Sequence, residues 1–366
     1  MAAPPEARTS CAPMGSTKHT GETAPGSSER HGAWQWRGWV KRLVFVLVLA
    51  FVIQQAWRIA AAGDWSAMQL HPVPIAGALV AYWLGWLPSV WLWRWLLLAM
   101  DRPVSWRSAI RAYYVGHLGK YVPGKAMVLV LRSQLLGRER VPPLTAALSA
   151  TYETLLMMGV GLCLGLILIP LSVDASQWKS LVPLVPLSER ALRIVPLLIA
   201  VTGCVSLPLA SRLFQLVAWK VARHETAEQS PPAVHIPVQL VTCGAVGLCA
   251  GWFCHGASLA LVVAGVGGPP FSPADWPFWT GAVALATSVG FLAVFAPGGL
   301  GVREGLLIGA LLLHPQVTKP QAVAAAVLLR GLWLVAEAVA GAVLYWGAHG
   351  GEKKPLRGPQ RSDDAA

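Results

Sequence analysis

Apolar residues along this chain gather into long blocks, separated by short polar or Gly- and Pro-rich segments. Six blocks are Val40–Trp57, Val73–Leu98, Leu144–Leu171, Leu192–Leu213, Val234–Val266 and Ala322–Trp346. Each is on the scale of the roughly 20 residues that cross a bilayer as a helix. They predict six spans.

Two further blocks are broken in the middle. Ala109–Leu136 contains L-G-K-Y-V-P-G-K at Leu118–Lys125, and Trp276–Leu313 contains A-P-G-G-L-G-V-R-E-G at Ala296–Gly305. Pro123 and Pro297 each remove a backbone donor and break a helix. Gly124, Gly298, Gly299 and Gly301 let the backbone turn where other residues resist. Lipid cannot satisfy the backbone freed in this way, so such a break is buried in protein or lines a wet cavity. Both blocks are expected to be re-entrant hairpins, entering and leaving by one face. Two other readings stay open. The break at Pro297 is a surface loop with Arg303 and Glu304 among headgroups, or Trp276–Ala296 crosses completely and the chain makes eight crossings. The fold class expected is all-α: a polytopic membrane helix bundle of six to eight spans with two Pro-Gly-interrupted re-entrant hairpins.

The segments after the two breaks run in parallel. Pro143 follows Pro123 by 20 residues, and Pro320 follows Pro297 by 23. Ten residues beyond each second proline sits a charge, Glu153 in one copy and Arg330 in the other. The following spans run in opposite directions, so the repeat is expected to be inverted. Paired interrupted segments in corresponding halves point to a binding site near the bilayer midplane.

Composition agrees with the blocks. The 366 residues are 55% hydrophobic and 13% charged, against roughly 25% charged in soluble domains. Mean hydropathy is +0.54 and the pI about 9.8. A net charge of +12 would suggest nucleic acid in a soluble protein. Here the cations lie mainly in the tails and between apolar blocks, so topology and anionic lipid explain them and no nucleic-acid partner is expected. Trp34, Trp36, Trp39, Trp57 and Trp65 flank the first block like an interfacial belt. The six cysteines form no C-x-x-C pair, and His255 has one neighbouring Cys, Cys254. They read as packed residues, and no metal or cofactor is expected.

Residues 1–39 are expected to form a disordered tail, 40–347 the membrane domain, and 348–366 a basic tail. Arg102, Arg107, Arg111, Arg138 and Arg140 flank the first broken block, and Arg212, Lys220 and Arg223 sit in a linker after the fourth span. Lys353, Lys354, Arg357 and Arg361 follow the last span. By the positive-inside rule these regions and both termini are cytoplasmic. The expected location is the cell membrane, in a bacterium the inner membrane.

A few charges fall inside apolar helices, where each costs at least a few kcal/mol unless paired or hydrated. Glu153 is in the third span. Arg330 and Glu337 are seven residues apart in the last, two helical turns, and so share a face. Candidate pairs are Glu153 with Arg330 and Arg303 with Glu337. The pairs either clamp helices or form a site. Lys120, Lys125, Arg132 and Arg303 suit an anionic headgroup, Arg through its planar fork and Lys as a point charge. For Lys120 and Lys125 the alternative is plain topological anchoring. Tyr113, Tyr114 and Tyr121 read first as interface anchors.

At these residues the chain resembles the lysylphosphatidylglycerol synthase transmembrane region family. The matching motifs are Y-Y-V-G-H-L-G-K-Y-V-P-G-K at Tyr113–Lys125, then Arg132, Glu153 and P-G-G-L-G-V-R-E-G at Pro297–Gly305, with Arg330 and Glu337 after it. The family includes the flippase domain of the multiple peptide resistance factor. The resemblance implies a flippase-like translocator of an anionic lipid or lipid-linked headgroup. It implies a site at Lys120, Tyr121, Pro123, Gly124, Lys125, Arg132, Glu153, Pro297, Gly298, Gly299, Gly301, Arg303, Glu304, Arg330 and Glu337. That factor carries a soluble aminoacyl-transferase domain after its membrane part. None follows here, so a separate synthase or glycosyltransferase is expected to make the lipid.

Two other readings compete. An enzyme acting on lipid-linked sugar or phosphate would need an acid or base near a hairpin, and Glu304 and His117 are the candidates. A scaffold for a separate synthase would tolerate neutral residues at Glu153 and Arg330. The sequence contains no G-x-x-x-x-G-K-[ST] motif. Substrate, energy source and oligomeric state are left open.

Overall fold

The computed structural model describes residues 70–121, 127–174, 176–177, 179, 188–225, 236–292 and 301–347. The block Val40–Trp57, both tails, Pro123, Gly124, Lys125, Pro297, Gly298 and Gly299 lie outside the described residues, as does the Tyr121 side chain.

The described chain is an all-α membrane bundle. Its helices are α1 (Pro72–Ala99), α2 (Trp106–His117), α3 (Met127–Leu135), α4 (Pro143–Ser172), α5 (Glu189–Glu225), α6 (Val238–Gly265), α7 (Trp276–Leu292), α8 (Val302–Leu311) and α9 (Lys319–Gly347). Short 3-10 turns at Leu118–Tyr121 and Gly137–Glu139 complete it. Five helices, α1, α4, α5, α6 and α9, are long and apolar enough to cross a membrane.

The fourth predicted span is longer than expected. Arg212, Lys220 and Arg223 lie within α5, not in a linker. The apolar sequence after Arg212, L-F-Q-L-V-A-W, carries the helix onward. The fifth begins later than expected, because Pro237 caps it and α6 starts at Val238.

Contacts between helix ends fix the direction of each element. On one face, called near, the Ser105 and Ser108 hydroxyls donate to Glu139 at 3.1 and 2.5 Å. That joins the start of α2 to the turn after α3. Gln215, late in α5, donates to the Ile236 carbonyl just before α6 at 3.4 Å. On the far face, the His71 N–H donates to Gly265 at 2.8 Å, and Gln321 donates to Gly267 at 2.7 Å. His314, after α8, lies 4.0 Å from Asp275, before α7. Gln177, after α4, donates to the Leu313 carbonyl at 3.5 Å.

These contacts make α2 with α3 a hairpin opening to the near face, and α7 with α8 a hairpin opening to the far face. Helix α4 runs from near to far and α9 from far to near. The two halves are therefore inverted, as the sequence predicts. The described part of α7 is 17 residues long, a rise of about 25 Å, and α8 runs back toward the far face; the break at Pro297 between them lies outside the described residues.

Each hairpin packs on the span that follows the other, α7 on α4 and α2 on α9, while α1 and α6 pair at the centre. The α1–α6 approach needs small residues. A Cβ at Gly251 would fall 2.6 Å from the Gly85 carbonyl oxygen. In lipid, close backbone packing of this kind replaces the hydrophobic drive that water supplies elsewhere.

Candidate functional site

Described residues of both hairpins line one cavity of ≈ 430 Å³. Tyr82 and Trp86 of α1, Thr151, Glu153, Thr154, Leu155, Met157 and Met158 of α4, and Arg330 and Trp333 of α9 line it from mid-helix positions. The first hairpin contributes His117, Lys120 and Arg132, the second Gly290, Phe291 and Arg303. Four cations thus face one space. Apolar residues line it as well, among them Val128, Leu129, Leu155, Met158 and Phe291. Leu155 lines the cavity and is 51% exposed.

Ion pairs organise the cations. Arg132 donates to Glu153 at 3.1 Å, and both side chains are 1% exposed. The Tyr113 hydroxyl donates to the other Glu153 oxygen at 2.9 Å. The Arg132 guanidinium also lies over the Tyr113 ring, 4.0 Å from its centroid, and near Trp93 at 4.8 Å. Trp93 is itself held by a hydrogen bond to Ser149 at 3.1 Å. In the second half, Arg330 lies 3.5 Å from Glu304. Each pair ties a returning hairpin helix to the next span, α3 to α4 and α8 to α9, with the signs exchanged.

Glu304 has a second task. Its other oxygen accepts from the Gly301 N–H at 2.8 Å, closing the first turn of α8 in the manner of a capping carboxylate. Gly301 has φ +86° with open space around it, so backbone conformation, not crowding, calls for glycine there. Arg303, next along, stacks over Trp333 with 4.6 Å to the ring centroid. Trp333 is anchored from α6 by a hydrogen bond to Ser258 at 3.1 Å.

A third cluster gathers on Glu337. Lys120, at the first hairpin tip, donates to Glu337 at 2.5 Å. The Tyr82 hydroxyl donates to the same oxygen, and His117 Nε2 lies 3.8 Å from it. Glu337 is 2% exposed.

A family model described as the lysylphosphatidylglycerol synthase TM region matches residues 38–341. The chain belongs to this family. It is therefore an integral membrane protein of lipid-related function. Every residue lining the cavity falls within the matched range, as do both hairpins. No curated protein matches the chain.

Of the site residues expected from sequence and family likeness, Lys120, Arg132, Glu153, Arg303 and Arg330 line the cavity. Glu337 stands behind Lys120, and Glu304 and Gly301 shape the second tip. The two pairings considered from sequence give way to others. Glu153 takes Arg132, and Glu337 takes Lys120, because each cation is delivered by the hairpin tip or return helix next to that acid.

Tyr113 is not an interface anchor but a buried donor to Glu153. Tyr114 is likewise buried and donates to the Trp83 carbonyl at 3.0 Å. His255 is packed, as expected, among the rings of Tyr82, Trp86, Trp252 and Trp333. Tyr82, Trp86 and Trp333 were not singled out in the sequence. Their only mark was spacing: Tyr82 and Trp86 are one turn apart on α1, and so share a face.

Proposed function

We propose that this protein moves an anionic membrane lipid, or a lipid-linked anionic headgroup, between leaflets. The supporting observation is the cavity itself: a space lined by Lys120, Arg132, Arg303 and Arg330 together with apolar residues, among them the half-exposed Leu155. A phosphate on the Arg303 and Lys120 side leaves its acyl chains to pass along Leu155 and Met158 into lipid. Arg offers a bidentate fork for phosphate and Lys a point charge. Two hairpins entering from opposite faces supply the inverted halves that alternating access requires.

Purified protein should retain phosphatidylglycerol over phosphatidylcholine in native mass spectrometry. Arg303→Ala should reduce that preference about tenfold, the scale of one charge-assisted hydrogen bond. Equal retention of both lipids by the unmodified protein would contradict the reading.

The near face is proposed to be cytoplasmic, since Arg102, Arg107, Arg111 and Arg140 gather there. In a cysteine-free background, Ser272→Cys on the far face should react with a membrane-impermeant maleimide in intact cells. Arg107→Cys should react only after lysis. The reverse pattern would invert the assignment.

A further inference from the structure

The two hairpins are held to their partner spans in different ways. The second is packed on α4 by close backbone contact. A Cβ at Gly165 would fall 2.9 Å from the Leu285 backbone, and one at Gly161 would fall 2.6 Å from the Ser288 hydroxyl. Gly281 fits equally closely against Leu168 and Ile169, at 3.0 and 3.1 Å. Such an interface has no room to slide without losing its contacts. The first hairpin meets α9 more sparsely, through Leu118 against Gly341, through Arg111 6.0 Å from the Tyr345 ring centroid, and through the Lys120–Glu337 pair. Among the described residues, Glu337 is a buried polar tie between the first hairpin and the opposite half.

Lys120 lines the cavity, and Glu337 lies directly behind it. A carboxylate on Lys120 has the charge and oxygen geometry of one edge of a phosphate. We infer that Glu337 is an internal anion that occupies Lys120 while the cavity is empty. A phosphodiester entering the cavity takes its place on Lys120 and releases the first hairpin from α9. When Lys120 turns to the ligand, the Tyr82 hydroxyl and the His117 ring remain beside Glu337, so the carboxylate keeps a donor. Binding and hairpin release thereby become one event. This rests on the anionic-lipid reading above and adds the residue that couples binding to movement.

The test is hydrogen exchange over residues 106–121 in nanodiscs of phosphatidylcholine, with and without phosphatidylglycerol, alongside retention of phosphatidylglycerol by native mass spectrometry. In the unmodified protein, exchange should rise only when phosphatidylglycerol is present. In Glu337→Gln it should already be high in phosphatidylcholine alone, and phosphatidylglycerol should bind about tenfold more tightly, by removal of one charge-assisted competitor. In a Lys120→Gln background the Glu337→Gln change should alter neither readout, and this arm separates competition from a general loss of packing. The same rise on adding glycerol 3-phosphate to phosphatidylcholine discs supports the displacement with a soluble anion as ligand. Weaker phosphatidylglycerol binding in Glu337→Gln, with normal preference in the unmodified protein, overturns the inference and leaves the lipid reading standing. No preference for phosphatidylglycerol in either protein overturns both.

Discussion

Arg132→Met is expected to destabilise the protein by about 3–5 kcal/mol, the cost of leaving a buried ion without its partner. Both members of the Arg132–Glu153 pair are almost wholly buried. With the guanidinium gone, Glu153 keeps the Tyr113 hydroxyl and a long 3.4 Å contact from Thr154. Neither supplies a positive charge. The loss also empties the space over the Tyr113 and Trp93 rings that the guanidinium fills. Arg132→Met combined with Glu153→Gln should recover most of the stability, since the amide oxygen still accepts from Tyr113 and no charge is stranded. Thermal unfolding in detergent reads both. A single variant as stable as the unmodified protein would mean that water reaches the pair.

The pair also explains what was readable from residues alone. Unbroken apolar blocks such as Val73–Leu98 and Leu144–Leu171 mark spans well, because length and hydropathy are local properties and lipid enforces them. That two apolar blocks are each built from two helices was legible for the same reason, since proline and glycine act on their own backbone; Pro123 and Pro297 themselves lie outside the described residues. The inversion followed from counting crossings between two such breaks. Partner choice among charges was not legible. It depends on where a turn of about ten residues delivers a side chain, and Lys120 reaches Glu337 across more than 200 positions. Tyr82 and Trp333 stayed hidden because aromatic residues in spans look alike until neighbouring helices assign them a face.

Arg303 carries the second large effect. It stands at the second hairpin tip, lines the cavity, and is braced on Trp333, which Ser258 fixes in turn. A cation oriented by this stack is preorganised for a planar phosphate edge. Arg303→Lys should keep charge but lose the fork and the stack, and so fall between the unmodified protein and Arg303→Ala. Arg303→Ala removes a guanidinium stacked on Trp333 and leaves the buried Arg132–Glu153 pair intact, so it should unfold at a higher temperature than Arg132→Met.

The most direct measurement is leaflet exchange of fluorescent phosphatidylglycerol in liposomes, followed by the fraction of dye that dithionite reaches. The unmodified protein should expose the inner-leaflet dye. Arg303→Ala, reconstituted at the same level, should slow that exposure about ten- to hundredfold, as the loss of one charge-assisted contact predicts. Exchange that is unchanged in Arg303→Ala, and equally fast for fluorescent phosphatidylcholine, would contradict a headgroup path through the cavity.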